Sequence, residues 1–147
     1  MEEEDRYFQN SLDHILLFDQ LPRLFYPGTE KALEYDDYAL EMSKFLLPQV
    51  KQMPCFEGMF VLAPLMHSED QMDVNLYVRE LSQLAAYVKS KGHRHPGKIL
   101  EAQVAVGQKH LACLNKFDRY PHRNEVLGRE STPDELEWLK KPEALDF

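Results

Sequence analysis

The sequence predicts a single all-α domain over residues 1–147, and three observations lead to this prediction. The chain has 147 residues, which is the length of one typical domain. Apolar residues recur at helical spacing along most of it, and no alternating pattern long enough for a strand interrupts them. Hydrophobic residues make up 44% of the composition and aromatic residues 11%, enough for a core without disulfides or a structural metal.

Proline and glycine mark the end of the first predicted helix. This helix is expected to end near Gln20, because Pro22 disfavours a helical conformation at the residue before it but suits the first position of a short following turn. Pro27 and Gly28 then form a turn typical of a break between helices.

The next two helices are predicted from caps and from one continuous apolar run. Thr29 is expected to cap a helical stretch and Asp36 to restart it. After a loop bracketed by prolines, the apolar run from Phe56 to Met66 is compatible with a strand or a helix by periodicity alone. Its helical neighbours favour a short buried helix.

A capping-box pattern, Ser68 with Gln71 three residues later, predicts a long helix running to about Lys89. Residues 92–97 are expected to form a turn, and residues 98–117 a further helix with one apolar face. The apolar stripe of the first of these two helices contains Val74, Tyr77, Val78, Leu81, Leu84, Ala85 and Val88.

A second capping box begins at Thr132, with Pro133 at the first helical position and Glu135 at the third. It predicts a short terminal helix through Leu139, which Pro142 stops. The segment 117–132 before it is predicted to be a long ordered loop.

The charge is distributed unevenly along the chain. The formal net charge of −8 argues against a general polyanion binder. Residues 89–129, however, carry nine Lys or Arg against three Asp or Glu, which favours one small anion held locally. These basic residues are not interleaved with aromatics as a nucleic-acid platform requires, so we expect no nucleic-acid partner.

The composition of the chain favours a cytoplasmic protein with no membrane contact. The acidic start, Met1 to Asp5, is unlike a signal peptide. Apolar runs such as Phe60 to Leu65 are far shorter than a spanning helix. Cys55 and Cys113 lie in apolar contexts typical of buried thiols.

Polar residues next to apolar helices predict a binding site. Guanidinium groups match planar anions through two parallel hydrogen bonds, and helix ends tend to meet at one edge of a helical stack. We therefore expect a non-enzymatic module that binds a small anionic molecule or an acidic peptide end. Its candidate ligand-binding residues are Asp19, Arg23, His67, His110, Arg119, His122, Arg123 and Asn124.

Two alternatives remain open. One is a small acid/base or metal-assisted hydrolase, although a His-x-Glu at 67–69 supplies too few ligands for a metal, so we expect no metal and no cofactor. The other is a purely structural network of buried polar groups. The candidate catalytic residues of the first alternative are His67, Glu69, His110 and His122.

Three blocks of sequence resemble the mainly bacterial domain of unknown function 924 family. They are Leu16 to Arg23 followed by Gly28-Thr29, then Pro64 to Glu69, then Phe117 to Thr132. The resemblance implies a TPR-like stack of about five to six antiparallel helices whose motif residues face one another. It implies no particular reaction. The third block contains Arg119, Pro121, His122, Arg123, Asn124, Gly128, Arg129 and Ser131.

The chain departs from the family pattern mainly at its start. Residues 1–11 are read as an acidic extension, where family members have an aromatic-rich helical segment before the first block. An apolar face left uncovered there is a natural interface, so a homodimer is expected. Asp118 replaces the glycine usual in the family, and Leu21 stands where phenylalanine is frequent.

Overall fold

A computed structural model describes residues 12–142 and residue 144, and it confirms the all-α fold. Within these residues there are six α-helices and no strand. The predicted acidic extension, residues 1–11, lies outside the described residues. The helices are α1 (Leu21–Phe25), α2 (Asp36–Leu46), α3 (Cys55–His67), α4 (Gln71–Ser90), α5 (Arg94–Phe117) and α6 (Pro133–Leu139).

The first helical path continues past the point where it was expected to end. Residues 12–15 are helical, Leu16–Gln20 form a π-helix, and α1 follows directly. The backbone N–H of Leu21 donates to the carbonyl of Leu16, five residues back. Pro22 lies in the first turn of α1 and has no N–H with which to continue this pattern. The π-helix ends at Gln20 and Pro22 lies in the first turn of the short helix that follows, as expected, but no break separates the two and the path runs to Phe25.

The middle of the chain follows the prediction closely. A short 3₁₀ turn, Glu30–Ala32, comes after Thr29, whose hydroxyl donates to the carbonyl of Tyr26 instead of capping the turn. Helix α2 begins at Asp36, as expected. The apolar run forms α3, so the choice of helix over strand is confirmed.

The cap of α4 differs from the predicted one. Ser68 is the C-cap of α3, and its hydroxyl accepts from the backbone N–H of Asp70. Asp70 is the N-cap, with its carboxylate accepting from the N–H of Met72 at 2.7 Å. The Ser68–Gln71 capping box is wrong because Asp70 is closer to the first unpaired N–H groups.

Helix α5 begins earlier than the sequence predicted. It starts at Arg94, so Pro96 and Gly97 belong to its first turns. A proline there is tolerated, because the first N–H groups of a helix have no intrahelical acceptor. The Thr132 capping box, in contrast, is confirmed in both halves, and α6 ends at Leu139 as predicted.

Successive helices pack on one another, with α4 and α5 as the most extensive pair, α3 on α4 and α2 on α3. A smaller apolar cluster around Tyr120 joins the loop after α5 to α4 and α5. The loop thus belongs to the packed body of the protein. The main core contains Ile15, Leu46, Val61, Leu62, Leu65, Tyr77, Leu81, Leu84 and Leu100.

The outer face of α1 is apolar and exposed, with Leu24 and Phe25 70% and 67% accessible. The homodimer expected from the sequence remains a prediction. None of the helices in the described part of the chain is long and apolar enough to cross a membrane. Cys55 and Cys113 form no disulfide.

Candidate functional site

Five of the predicted site residues line one pocket of about 350 Å³. The pocket lies between the segment after α1, the end of α3, the middle of α5 and the loop that follows α5. The polar residues that line it are Arg23, Thr29, His67, His110, His122 and Arg123. The apolar residues that line it are Pro27, Ala32, Leu33, Met66, Val106 and Val126.

Asp19 lies behind this pocket and is fully buried. One carboxylate oxygen is 2.6 Å from Nδ1 of His67, and the other accepts from the side chain of Gln20. Burial alone would raise the pKa of Asp19, but the contacts with His67, Arg23 and Gln20 outweigh burial and hold that pKa below its usual value. Asp19 is therefore ionised and fixes one edge of the imidazole.

The guanidinium of Arg23 forms hydrogen bonds within the protein. One terminal nitrogen donates to the carbonyl of Asp19 at 2.9 Å, and the other donates to Asp36 Oδ2 at 2.8 Å. The first nitrogen also reaches the carbonyl of Ala32 at 3.4 Å. These contacts join the π-helix, the 3₁₀ turn and the start of α2, so Arg23 supports the shape of the pocket.

Arg123 is bound much more loosely, although its side chain is only 12% exposed. Its guanidinium is 3.7 Å from Asp36 Oδ2 and lies over the Tyr120 ring at 4.9 Å. Among the described residues it makes no hydrogen bond. Burial lowers its pKa, yet a guanidinium keeps its proton in proteins. The pocket is therefore lined by a charged group with hydrogen-bond donors to spare.

His110 and His122 bracket the ring of Tyr120. His110 packs edge-on at 5.4 Å and His122 stacks at 5.6 Å. Nδ1 of His110 lies 3.0 Å from the carbonyl of Val106, which only accepts, so this nitrogen carries the proton. Burial lowers the pKa of each histidine to about 4. Both rings are thus neutral at neutral pH.

Glu69 lies in a separate hydrogen-bond network beside the pocket. It receives two hydrogen bonds from Arg129, at 2.7 and 2.9 Å, and one from the backbone N–H of Tyr120 at 2.7 Å. Burial opposes its ionisation, but these bonds prevail and lower the pKa of Glu69. They tie the connection between α3 and α4 to the loop after α5.

Arg119 and Asn124 belong to the same network and do not line the pocket. Arg119 donates to both oxygens of Glu135, at 2.6 and 2.8 Å, and to the carbonyl of Glu130. Asn124 donates to Ser131 and Glu135. The predicted ordered loop is organised by these contacts, and the donors of Arg119 and Asn124 are used within the protein.

Asp36 forms ion pairs with two arginines of the site, but from the sequence it was predicted only to start a helix. Its Oδ2 pairs with both Arg23 and Arg123. An aspartate in the first turn of a helix is common for reasons of capping and dipole, so nothing in the sequence set it apart. Tyr120 was also missed, although its ring is the surface on which His110, His122 and Arg123 pack.

The described residues include no group of three or more His, Cys, Asp or Glu side chains arranged to hold a metal ion. The predicted histidines come together with arginines and apolar side chains instead.

The family model for "Bacterial protein of unknown function (DUF924)" matches residues 1–143. A solved structure of a protein of unknown function, ATU0120 from Agrobacterium tumefaciens, has the same fold, with a TM-score of 0.63 and 24% sequence identity. The match covers 88% of this chain and 66% of that one, so this chain spans just under two thirds of that protein. No curated protein matches the sequence significantly. The resemblance seen in the three motif blocks is thus confirmed, and the chain belongs to the DUF924 family of bacterial proteins of unknown function.

Proposed function

We propose that the pocket binds a small molecule, or the end of a peptide, through a carboxylate group. The observation that carries this proposal is the state of Arg123. Its guanidinium is nearly buried, lines the pocket and makes no hydrogen bond to a described residue. A buried charged group without acceptors is costly, and a carboxylate supplies two acceptors in the matching plane.

The other arginines of the same loop make the contrast clear. Arg119 and Arg129 each make a two-pronged contact with a glutamate and a further bond to a backbone carbonyl. Their donors are consumed within the fold. Arg123 follows Tyr120 by three residues and differs from them in facing the pocket. It is the arginine of this loop whose chemistry suits a ligand.

The charges around the pocket favour a single negative charge on the ligand. Two guanidinium groups, on Arg23 and Arg123, are matched by two carboxylates, on Asp19 and Asp36. His110 and His122 add no positive charge at neutral pH, since burial holds their pKa values at about 4. A dianionic phosphate would meet no excess of positive charge here, whereas a monocarboxylate needs only the donors of Arg123.

The apolar residues that line the pocket suggest which chemical group carries the carboxylate. Leu33, Val106 and Val126 line the pocket together with Met66, and apolar lining of this kind favours an aliphatic group. We therefore infer a short aliphatic acid, or the end of a peptide with an apolar final residue, as the ligand class. An all-α scaffold that holds such a pocket fits a binding role.

The test is binding of butyrate, hexanoate and inorganic phosphate, measured by calorimetry and by the shift in Tm. We expect both carboxylates to bind more tightly than phosphate. Arg123→Gln should weaken their binding by about tenfold or more, since a hydrogen bond to a charged group contributes about 1.5–3 kcal/mol.

Arg79→Gln is the matched control, because Arg79 is 63% exposed and, within the described residues, pairs only with its neighbour Glu80. It should leave carboxylate binding unchanged. No binding of either carboxylate at millimolar concentration would contradict the proposal, and so would equal binding by the Arg123→Gln variant and the unmodified protein.

A further inference from the structure

We propose that this pocket hydrolyses small carboxylic esters, with His67 as the general base that activates water. This inference rests on the proposed function, because the carboxylate expected at Arg123 is the acid that ester hydrolysis releases. It goes further by assigning a reaction to the same site.

The first support is the geometry of Asp19 and His67. Asp19 is ionised and can only accept, so Nδ1 of His67, 2.6 Å away, carries the ring proton. In the neutral imidazole Nε2 holds a lone pair, and none of the described residues bonds to it. A carboxylate that fixes an imidazole in this tautomer also stabilises the imidazolium that forms when Nε2 takes up a proton.

The second support is the position of this pair. His67 ends α3, lines the pocket and is 16% exposed, while Asp19 behind it is fully shielded from water. His67 can therefore contact a substrate in the pocket, while the hydrogen bond between His67 and Asp19 is protected from competition by water. Asp19 acts through His67 and is a positioning residue.

The third support is Arg123 in the same pocket. In acyl transfer one negative charge develops on the former carbonyl oxygen, and preorganised donors aimed at that oxygen lower the barrier. The spare N–H groups of Arg123 can supply such donors, and its packing on Tyr120 holds the guanidinium in place.

The reaction needs only water as co-reactant. The water oxygen bonds to the ester carbonyl carbon while Nε2 of His67 takes one water proton, and the oxyanion pairs with Arg123. The intermediate then collapses, the bond between the carbonyl carbon and the alcohol oxygen breaks, and the leaving oxygen takes the proton from Nε2. The products are an alcohol and a carboxylic acid, which ionises at neutral pH.

Water is the nucleophile because the nearby hydroxyl and thiol groups are otherwise engaged. Ser68 donates to Asp73, and Thr29 donates to the carbonyl of Tyr26. Cys113 donates to the carbonyl of Arg119, and burial raises the pKa of its thiol to about 12. None of these three groups is activated by His67.

Two features favour carboxylic esters over phosphate esters as the substrates. Phosphoryl transfer places charge on several oxygens and is usually assisted by metal ions or several cations, but the two arginines here are already balanced by Asp19 and Asp36. The apolar lining residues, Leu33 and Val106 among them, suit a short acyl chain.

The test is the rate of hydrolysis of p-nitrophenyl acetate, butyrate and hexanoate. We expect the unmodified protein to hydrolyse at least one of these esters with saturation kinetics, and butyrate to inhibit competitively. His67→Gln should lower kcat about 100-fold or more, the usual contribution of a general base. Its affinity for butyrate should stay near that of the unmodified protein, which separates loss of catalysis from loss of folding.

Exposed histidines hydrolyse activated esters weakly, so the control is His95→Gln. His95 is exposed at the start of α5, remote in sequence from the pocket residues, and this variant should keep the full rate. Asp19→Asn should lower kcat with little change in KM, because the variant leaves the ligand contacts of Arg123 in place.

The outcomes separate the two proposals. If butyrate binds but no ester is turned over faster than by free imidazole, the hydrolysis inference fails and the binding proposal stands. A rate for His67→Gln within twofold of the His95→Gln rate also overturns the inference. If butyrate does not bind and no ester is hydrolysed, both proposals fail.

Discussion

Arg129 and Glu69 lie 60 positions apart and form a two-pronged ion pair with N–O distances of 2.7 and 2.9 Å. The pair joins the end of the loop after α5 to the connection between α3 and α4. Glu69 also accepts from the backbone N–H of Tyr120, so this contact fixes the short 3₁₀ turn that carries His122 and Arg123 into the pocket.

Arg129→Gln should therefore destabilise the protein by about 2 kcal/mol, the scale of hydrogen bonds to partly buried charged groups. The variant leaves Glu69 without its cation and removes a bond to the carbonyl of Tyr120. Urea unfolding at neutral pH measures the change. Arg79→Gln removes an exposed pair and should cost less than about 0.5 kcal/mol. Equal stability of the two variants would show that the loop is held by its apolar contacts instead.

The sequence predicted the helices well where hydrophobic periodicity is strong. Helix α4, with its apolar stripe from Val74 to Val88, ends within one residue of the expected position. Prediction failed where two local solutions compete for one segment. Pro22 permits a helical turn as well as a break, and both Ser68 and Asp70 are able to cap α4. Hydrophobic periodicity does not decide between such options.

The candidate site could be predicted in composition but not in arrangement. His67, His110 and Arg123 were selected from the sequence, and they line one pocket. Arg119 was selected by the same reasoning and lies instead against Glu135. The sequence does not show whether the hydrogen-bond acceptors of an arginine belong to the protein or to a ligand. The answer depends on which carboxylates the fold places next to its guanidinium.

The neutral histidines make stability dependent on pH. His110 and His122 have folded-state pKa values of about 4, below the value of about 6.5 expected in the unfolded chain. The unfolded chain therefore binds more protons as the pH falls from about 6.5 to 4, and the free energy of unfolding decreases over that window. The stabilisation is fully present above pH 6.5. The loss amounts to about 3 kcal/mol at the most for each histidine.

Urea unfolding at pH 7 and pH 5 tests this dependence. His110→Gln should reduce the difference between the two pH values, while His95→Gln, at an exposed position, should not. Glu135, with its pKa lowered to about 2 by Arg119, adds a further loss only below about pH 4.5. A stability that stays flat between pH 7 and pH 5 would mean that these histidines are not buried as neutral rings.

Gly107 is required by the close packing of α4 on α5. A Cβ atom at this position would lie 2.5 Å from the ring of Tyr77, which is 1% exposed. Gly107→Ala improves helix propensity by about 1 kcal/mol, but overpacking in a rigid core costs about 1–3 kcal/mol. We expect a net loss of stability and a lower Tm. Gln108→Ala, on the exposed side of the same helix, should be neutral; a gain in Gly107→Ala would show that Tyr77 moves aside freely.

Thr132 and Glu135 form a capping box at the start of α6. The hydroxyl of Thr132 accepts from the backbone N–H of Glu135 at 3.3 Å, and the Glu135 carboxylate accepts from the N–H of Thr132 at 2.8 Å. Glu135 also accepts hydrogen bonds from Arg119 and Asn124. The capping box therefore orders the hydrogen-bond network of the loop as well as the start of α6. Thr132→Ala should cost about 1 kcal/mol, measured by urea unfolding. Thr132→Ser keeps the acceptor and should be close to neutral. If serine and alanine destabilise equally, the hydroxyl does not cap the helix and the packing of the threonine methyl group is what matters.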